Sequence, residues 1–245
     1  MPFETATSYT SRLVRRAGAA SPSDLCLDFG LDWTAIVRGE ATQIRQLVRF
    51  GGGDPEALTR WSIEAVGPLV FRIGDDVVPN KTLLRSRLRV CPTCTREDIA
   101  YGGLERAYRR MHWNLQAIRT CPDHGRPLLK LPWLEHTFGN YDIVARVDAT
   151  LPLIERAARV DEVRPFTDYE RYLLDRLHGA TAVPYLDEMP LALVIRFTEA
   201  LGLTRIGYRE AARDADDGLL YEAGAAGFEV LRHGPDAFLE ELRRL

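Results

Sequence analysis

Lysine is almost missing from this chain. Of its 32 basic residues only Lys81 and Lys130 are lysine, and the other 30 are arginine. A GC-rich genome produces that bias as readily as selection for bidentate contacts does, so it assigns no function by itself. Long apolar runs are missing too. No stretch approaches the ~20 residues of a bilayer-spanning helix, and the amino-terminal residues lack the form of a secretory signal. Cysteine is scarce, at 4 in 245 residues. No disulfide is needed to account for them, and the chain reads as cytoplasmic. Catalytic signatures are also absent. The sequence contains no HExxH and no phosphate-cradling GxxxxGK[ST], and no histidine precedes Cys91 to supply the HxE of a zinc deaminase. A Cys–His hydrolase would have to use Cys26, which lies in the apolar stretch LCLDFGL. The chain reads as a non-enzyme.

What is present is unevenly distributed. The net charge is only −3, yet residues 1–130 carry 19 Lys and Arg against 14 Asp and Glu, and residues 131–245 carry 13 against 21. The basic excess is densest at 81–130, with 11 basic against 4 acidic groups. A basic middle followed by an acidic tail suggests two surfaces with different partners. With 46% apolar residues the chain can bury a good core. We divide it into an amino-terminal helical part at 1–68, a metal module at 69–140 and an acidic helical tail at 141–245.

The module is built on two half-motifs. Cys91 and Cys94 form C-P-x-C, and Cys121 and His124 repeat the design as C-P-x-H after 26 intervening residues. Each pair places its side chains about one turn apart, so that one tight loop presents both to a single ion. A proline follows the first cysteine of each pair, and Gly125 leaves room for a sharp exit. Four protein ligands fill a tetrahedral zinc and leave no open position, so the expected metal is one structural Zn2+.

These same residues carry a resemblance. C-P-x-C, then Glu97–Asp98, then Tyr108, Arg109 and Trp113, then C-P-x-H-G-x-x-L-L, resembles the zinc-binding signature of the TniQ/TnsD family of transposon target-selection proteins. Residues 4–20 and 31–63 are similar to the amino-terminal part of TniQ domains, and the likeness covers about residues 3 to 130. The resemblance implies a non-enzymatic adaptor that marks a target and recruits a transposon AAA+ ATPase of the TnsC/TniB kind, which brings the transposase. In the family the target is a DNA sequence or an RNA-guided CRISPR complex. The residues alone leave a second reading open, a helix-turn-helix and zinc-ribbon transcription regulator or general nucleic-acid-binding protein. The acidic tail could meet the ATPase, a second copy of the chain in a homodimer, or neither.

Taken in order, the patterns predict a mostly α protein with a small zinc ribbon, of α+β class. Helices are expected at 5–19, from Ser21, over 32–50 with a break at Gly39, and from Pro55 to about Ala65, the last capped by Asp54. The glycine turn at 51–53 gives the final pair a helix-turn-helix form, in which Thr59 and Arg60 are candidate target contacts; Glu56 would repel phosphate. Residues 68–78 read as a strand or an extended connector. Residues 83–90 suit a half-buried strand with one basic face. Between the knuckles, Thr95 should cap a short helix, residues 104–111 a second with Arg106, Arg109 and Arg110 exposed, and 112–121 a strand that buries Trp113. Arg106, Arg109, Arg110, Arg119, Arg126 and Lys130 then form the densest basic face, suited to nucleic-acid phosphates or to plain solvation. His112 and His136 read as boundary residues rather than ligands, and His178 and His233 as helix-end residues. The tail should be helical through 204–216 and on to the end.

Overall fold

Capping side chains set the opening helices one by one. Thr5 accepts the Ser8 amide ahead of α1 (Ala6–Ala17), and Ser21 that of Asp24 ahead of α2 (Pro22–Asp28). Asp32 accepts two amides ahead of α3 (Trp33–Val37); α4 (Ala41–Gly51) follows, and Asp54 caps α5 (Pro55–Arg60) with Pro55 at its first position. The computed structural model describes residues 1–133, 140–210 and 212–244. The helix expected to reach Ala65 stops at Arg60, because Glu64–Gly67 is recruited as β1 against β2 (Val70–Ile73). β2 in turn pairs with β3 (Asp76–Pro79), so residues 64–79 form an antiparallel meander that turns at Gly74 and Asp75.

The middle of the chain departs further from expectation. β4 is only Arg89–Val90, paired with β5 (Leu129–Lys130), and this short ladder sets the approach to Cys91 beside the exit from the Cys121 loop. α6 (Pro92–Gly102) is capped by Cys91, not Thr95, which lies inside the helix. The helix expected at 104–111 is replaced by one 3-10 turn at Leu104–Arg106 and extended chain. The reason is competition. The Met111 amide bonds to Phe3 O at 2.7 Å and the Arg109 amide to Ser8 Oγ at 2.8 Å, so docking on the amino terminus takes the groups a helix would use. The strand expected at 112–121 is likewise absent, with a 3-10 turn at Met111–Asn114. There the carbonyls of Gln116, Ala117 and Ile118 accept from the guanidinium groups of Arg89 and Arg119 instead of from a neighbouring strand.

The tail is helical: α7 (Ile143–Ala149), α8 (Leu151–Arg159), α9 (Asp168–Leu177), α10 (Pro184–Asp187), α11 (Leu191–Arg205), α12 (Asp217–Leu231) and α13 (Pro235–Arg244). A capping box of Thr167 and Glu170 opens α9, and His178 ends it. α11 and α12 cross closely enough that a Cβ at Gly202 or Gly227 would collide with the backbone of Ala223 or Thr198. Residues 204–216 are not the continuous helix expected. α11 stops at Arg205, and Ala212–Asp214 makes only a 3-10 turn.

Among the described residues two apolar cores result. A small one under the first five helices gathers Cys26, Ile36, Ile44, Leu47 and Leu58. The other runs from Ile63 through Val90, Cys91, Trp113 and Cys121 to Leu173, Val194 and Leu231, so the Cys-bearing loops and the tail helices share one interior.

Candidate metal centre

Cys91, Cys94, Cys121 and His124 converge as the half-motifs require, with their ligand atoms all within 4.8 Å of one another. The first pair comes from the start of α6, where the Cys91 thiol also accepts the Cys94 amide at 3.5 Å. The second pair comes from a loop closed by Cys121 N–H to Arg126 O at 2.8 Å and Gly125 N–H to Cys121 O at 2.9 Å. Gly125 makes that exit with φ of 53°, a left-handed conformation that suits glycine.

The spacings fit a tetrahedral ion. Bonds of about 2.3 Å to sulfur and about 2.0 Å to nitrogen put ligand atoms roughly 3.5–3.8 Å apart. Cys94 Sγ to Cys121 Sγ is 3.6 Å, and His124 Nδ1 lies 3.7, 3.2 and 3.7 Å from the sulfurs of Cys91, Cys94 and Cys121. His124 Nε2 faces Glu97 at 3.2 Å, the carboxylate partner that fixes a ligating imidazole's tautomer. The three cysteines are buried. Hydrogen bonding from Cys121 and Cys94 holds the Cys91 thiol low, while the same sharing pushes Cys94 up. Three buried sulfurs this close are awkward as thiols and natural as thiolates around a cation. The group could hold a metal ion, and its chemistry is consistent with zinc.

In the sequence Glu97 stands out only as part of the Glu97–Asp98 step of the family signature. Its position one turn after Cys94 on α6 is the signal that puts both on one side of that helix. A second support was not foreseen. The carboxylate of Glu170 on α9 accepts the amides of Arg119 and Thr120, each at 2.8 Å, and so anchors the strand-like approach to Cys121. Burial raises its pKa while those amides oppose the rise.

The basic candidates are not gathered into one face. Arg106 stacks over the exposed Tyr101 ring at 5.1 Å. Arg110 lies over Tyr108 and Trp113 and pairs with Asp98 at 3.2 Å; burial lifts Asp98 to about 6 despite that cation. Arg109 and Arg119, expected at the surface, are each 3% exposed. Arg109 donates to the carbonyls of Leu84 and Arg85, and Arg119 pairs with Glu199 at 2.8 Å. Arg89 is buried too, so the basic face expected on 83–90 is turned inward in part. Arg126 donates to the carbonyls of Ala158 and Val160, and Lys130 pairs with Asp217 at 2.6 Å. Thr59 bonds back to Pro55 O, and the exposed Arg60 reaches His178 O at 3.4 Å. Glu56 stands beside Arg45 at 3.6 Å. Trp113 is fully buried as expected, whereas His112 is a core residue rather than a boundary one. His136 lies outside the described residues.

A model of the TniQ family matches residues 1–128, more than half of the chain and every member of the Cys–His group. The chain belongs to the TniQ family. No match was found among curated proteins or among solved structures. TniQ membership makes this a transposition-associated target-selection protein, from a family of non-catalytic adaptors. The match holds the helical unit and the Cys–His group and leaves α7 to α13 outside it. Among the described residues no helix is long and apolar enough to cross a membrane.

Proposed function

We propose that this TniQ protein acts in the cytoplasm as a docking platform, binding a target and recruiting a transposon AAA+ ATPase of the TnsC/TniB kind. The observation that carries the reading is the family match over residues 1–128, with a closed four-ligand group inside it. One Zn2+, held by Cys91, Cys94, Cys121 and His124, would supply a fixed tetrahedral cross-link between α6 and the 121–126 loop. With all four positions taken by protein it would offer no site for a reacting water. The target is DNA or a CRISPR ribonucleoprotein.

Direct phosphate contact is best supported at Arg60, which is exposed at the end of α5 beside the half-buried Thr59, and at Arg106, half-buried but in no ion pair among the described residues; Lys130 is exposed but paired with Asp217. Arg110 and Arg126 are half-buried and already partnered, and Arg109 and Arg119 act within the fold. The order α4, glycine turn, α5 keeps the helix-turn-helix reading alive, and with it the transcription-regulator alternative. Gel shifts with and without a cognate ATPase separate the two. Recruitment predicts a larger DNA complex that forms only when both proteins are present. A sequence-specific operator complex indifferent to the ATPase would decide for the regulator. In the same assay Arg60→Ala with Arg106→Ala should flatten the salt slope by about two units.

A further inference from the structure

Several of the buried and half-buried arginines face a carboxylate. Arg89 and Arg119 lie against Asp217, Arg110 meets Asp98 and Arg176 meets Asp76. Around residues 84–88 that pattern stops. Arg109 directs its guanidinium at the carbonyls of Leu84 and Arg85, Arg85 at Val37 O, and Arg146 at Ser86 O, Leu131 O and Asn140. Among the described residues none of these three makes an ion pair. Carbonyl dipoles satisfy N–H groups, but they do not cancel a charge, and an unanswered buried cation is costly. Arg109 is buried, and among the described residues its Nε, like those of Arg89, Arg119 and Arg146, meets no acceptor. Burial, with Arg146 close by, pulls its pKa down to about 9.

Arg85 and Arg109 both line one small, partly open cavity of about 20 Å³. Thr5, Ala6 and Thr7 form another wall, so the cavity sits at the positive end of the dipole of α1, a helix of 12 residues whose Ala6 and Ser8 amides are already donated to Ser62 Oγ and Thr5 Oγ. About 10–15 Å³ of such space holds one water. This cavity therefore has room for one small ion.

We propose that the cavity binds a single monatomic anion of the chloride class, held by Arg85, Arg109 and the amino end of α1. Such an ion joins the amino-terminal helices to the segment between the two knuckles, to which Arg109 belongs. The test is thermal melting of the full metal-loaded chain in chloride, bromide or gluconate at fixed ionic strength. Halide should raise the melting temperature by about 3 °C per tenfold increase once the site is half filled. Gluconate should not, and Arg85→Met should abolish the difference while leaving the protein folded, because Arg85 is only half-buried. A crystal soaked in bromide should show an anomalous peak between the two guanidinium groups. Equal melting in the three salts, a halide effect that persists in Arg85→Met, or bromide found only elsewhere on the protein would each overturn the assignment. Arg109→Met provides the stronger loss if it folds, and the Arg85 variant and the bromide crystal decide the matter if it does not.

Discussion

In α1 to α5 the backbone is satisfied locally. Each helix closes its own ladder, and in α1, α2, α3 and α5 a neighbouring Thr5, Ser21, Asp32 or Asp54 side chain takes a leading amide, while α4 has no side-chain cap. Residues 83–131 have almost no such structure beyond α6 and the two paired residues of β4 and β5. Their carbonyls are met from a distance by forked side chains: Arg109 at Leu84 and Arg85, Arg146 at Ser86 and Leu131, Arg89 at Gln116 and Ile118. Glu170 does the same for the amides of Arg119 and Thr120. The near-exclusive use of arginine acquires a physical sense here. A guanidinium fork reaches two or three carbonyls at fixed angles, which a single ammonium cannot do. One region is held together by sequence neighbours, the other by a Cys–His group that could hold a metal ion and by long side chains.

Removing the metal should separate the two regions most. Cys94→Ser leaves three ligands and should forfeit a large part of the metal-linked stability, which for a structural zinc is on the order of 10 kcal/mol in total. Hydrogen exchange is expected to lose protection across residues 85–130 while α1 to α5 stay protected; equal protection in both regions would break the comparison. Arg146→Lys should come next, at about 3 kcal/mol by denaturant midpoint, because it strips buried carbonyls of their donor. An effect near zero would mean that water replaces the fork.

The third difference is pH-dependent. His112 is buried, its two ring nitrogens have no hydrogen-bond partner among the described residues, and burial lowers its pKa to about 3 from an ordinary 6.5. Because the folded value lies below the unfolded one, its contribution is complete above pH 6.5 and is lost as pH falls toward 3. The slope is at most about 1.4 kcal/mol per unit. Metal ligands also take up protons there, so the slope is read as the difference from His112→Leu, which should be flatter; identical slopes would remove the histidine from the account. The smallest effect belongs to the helical unit. Asp54→Ala should cost ~1 kcal/mol and change exchange only near α5.

This contrast also explains what could be read in the sequence. The cap at Asp54 and the breaks at Gly39 and Gly51–Gly53 are local signals, and the helices start and break there as expected, although α5 ends at Arg60 rather than near Ala65. The two half-motifs are local as well, and they meet as their spacing predicts. The alternation at 85–90 and 112–121 misleads, because the same pattern that marks a half-buried strand also arises where arginines turn inward to bind carbonyls. Nothing in residues 104–111 announces that Phe3 and Ser8, about a hundred positions earlier, will take their amides. For the same reason Arg109 and Arg119 read as surface charge when they are interior struts.

The central claim, that one ion ties α6 to the loop after Cys121, is tested most directly by native mass spectrometry of the purified chain. The account predicts one zinc per chain, released by a strong chelator together with loss of compactness around residues 85–130. A metal-free chain that stays as compact and as heat-resistant as the native protein would contradict it.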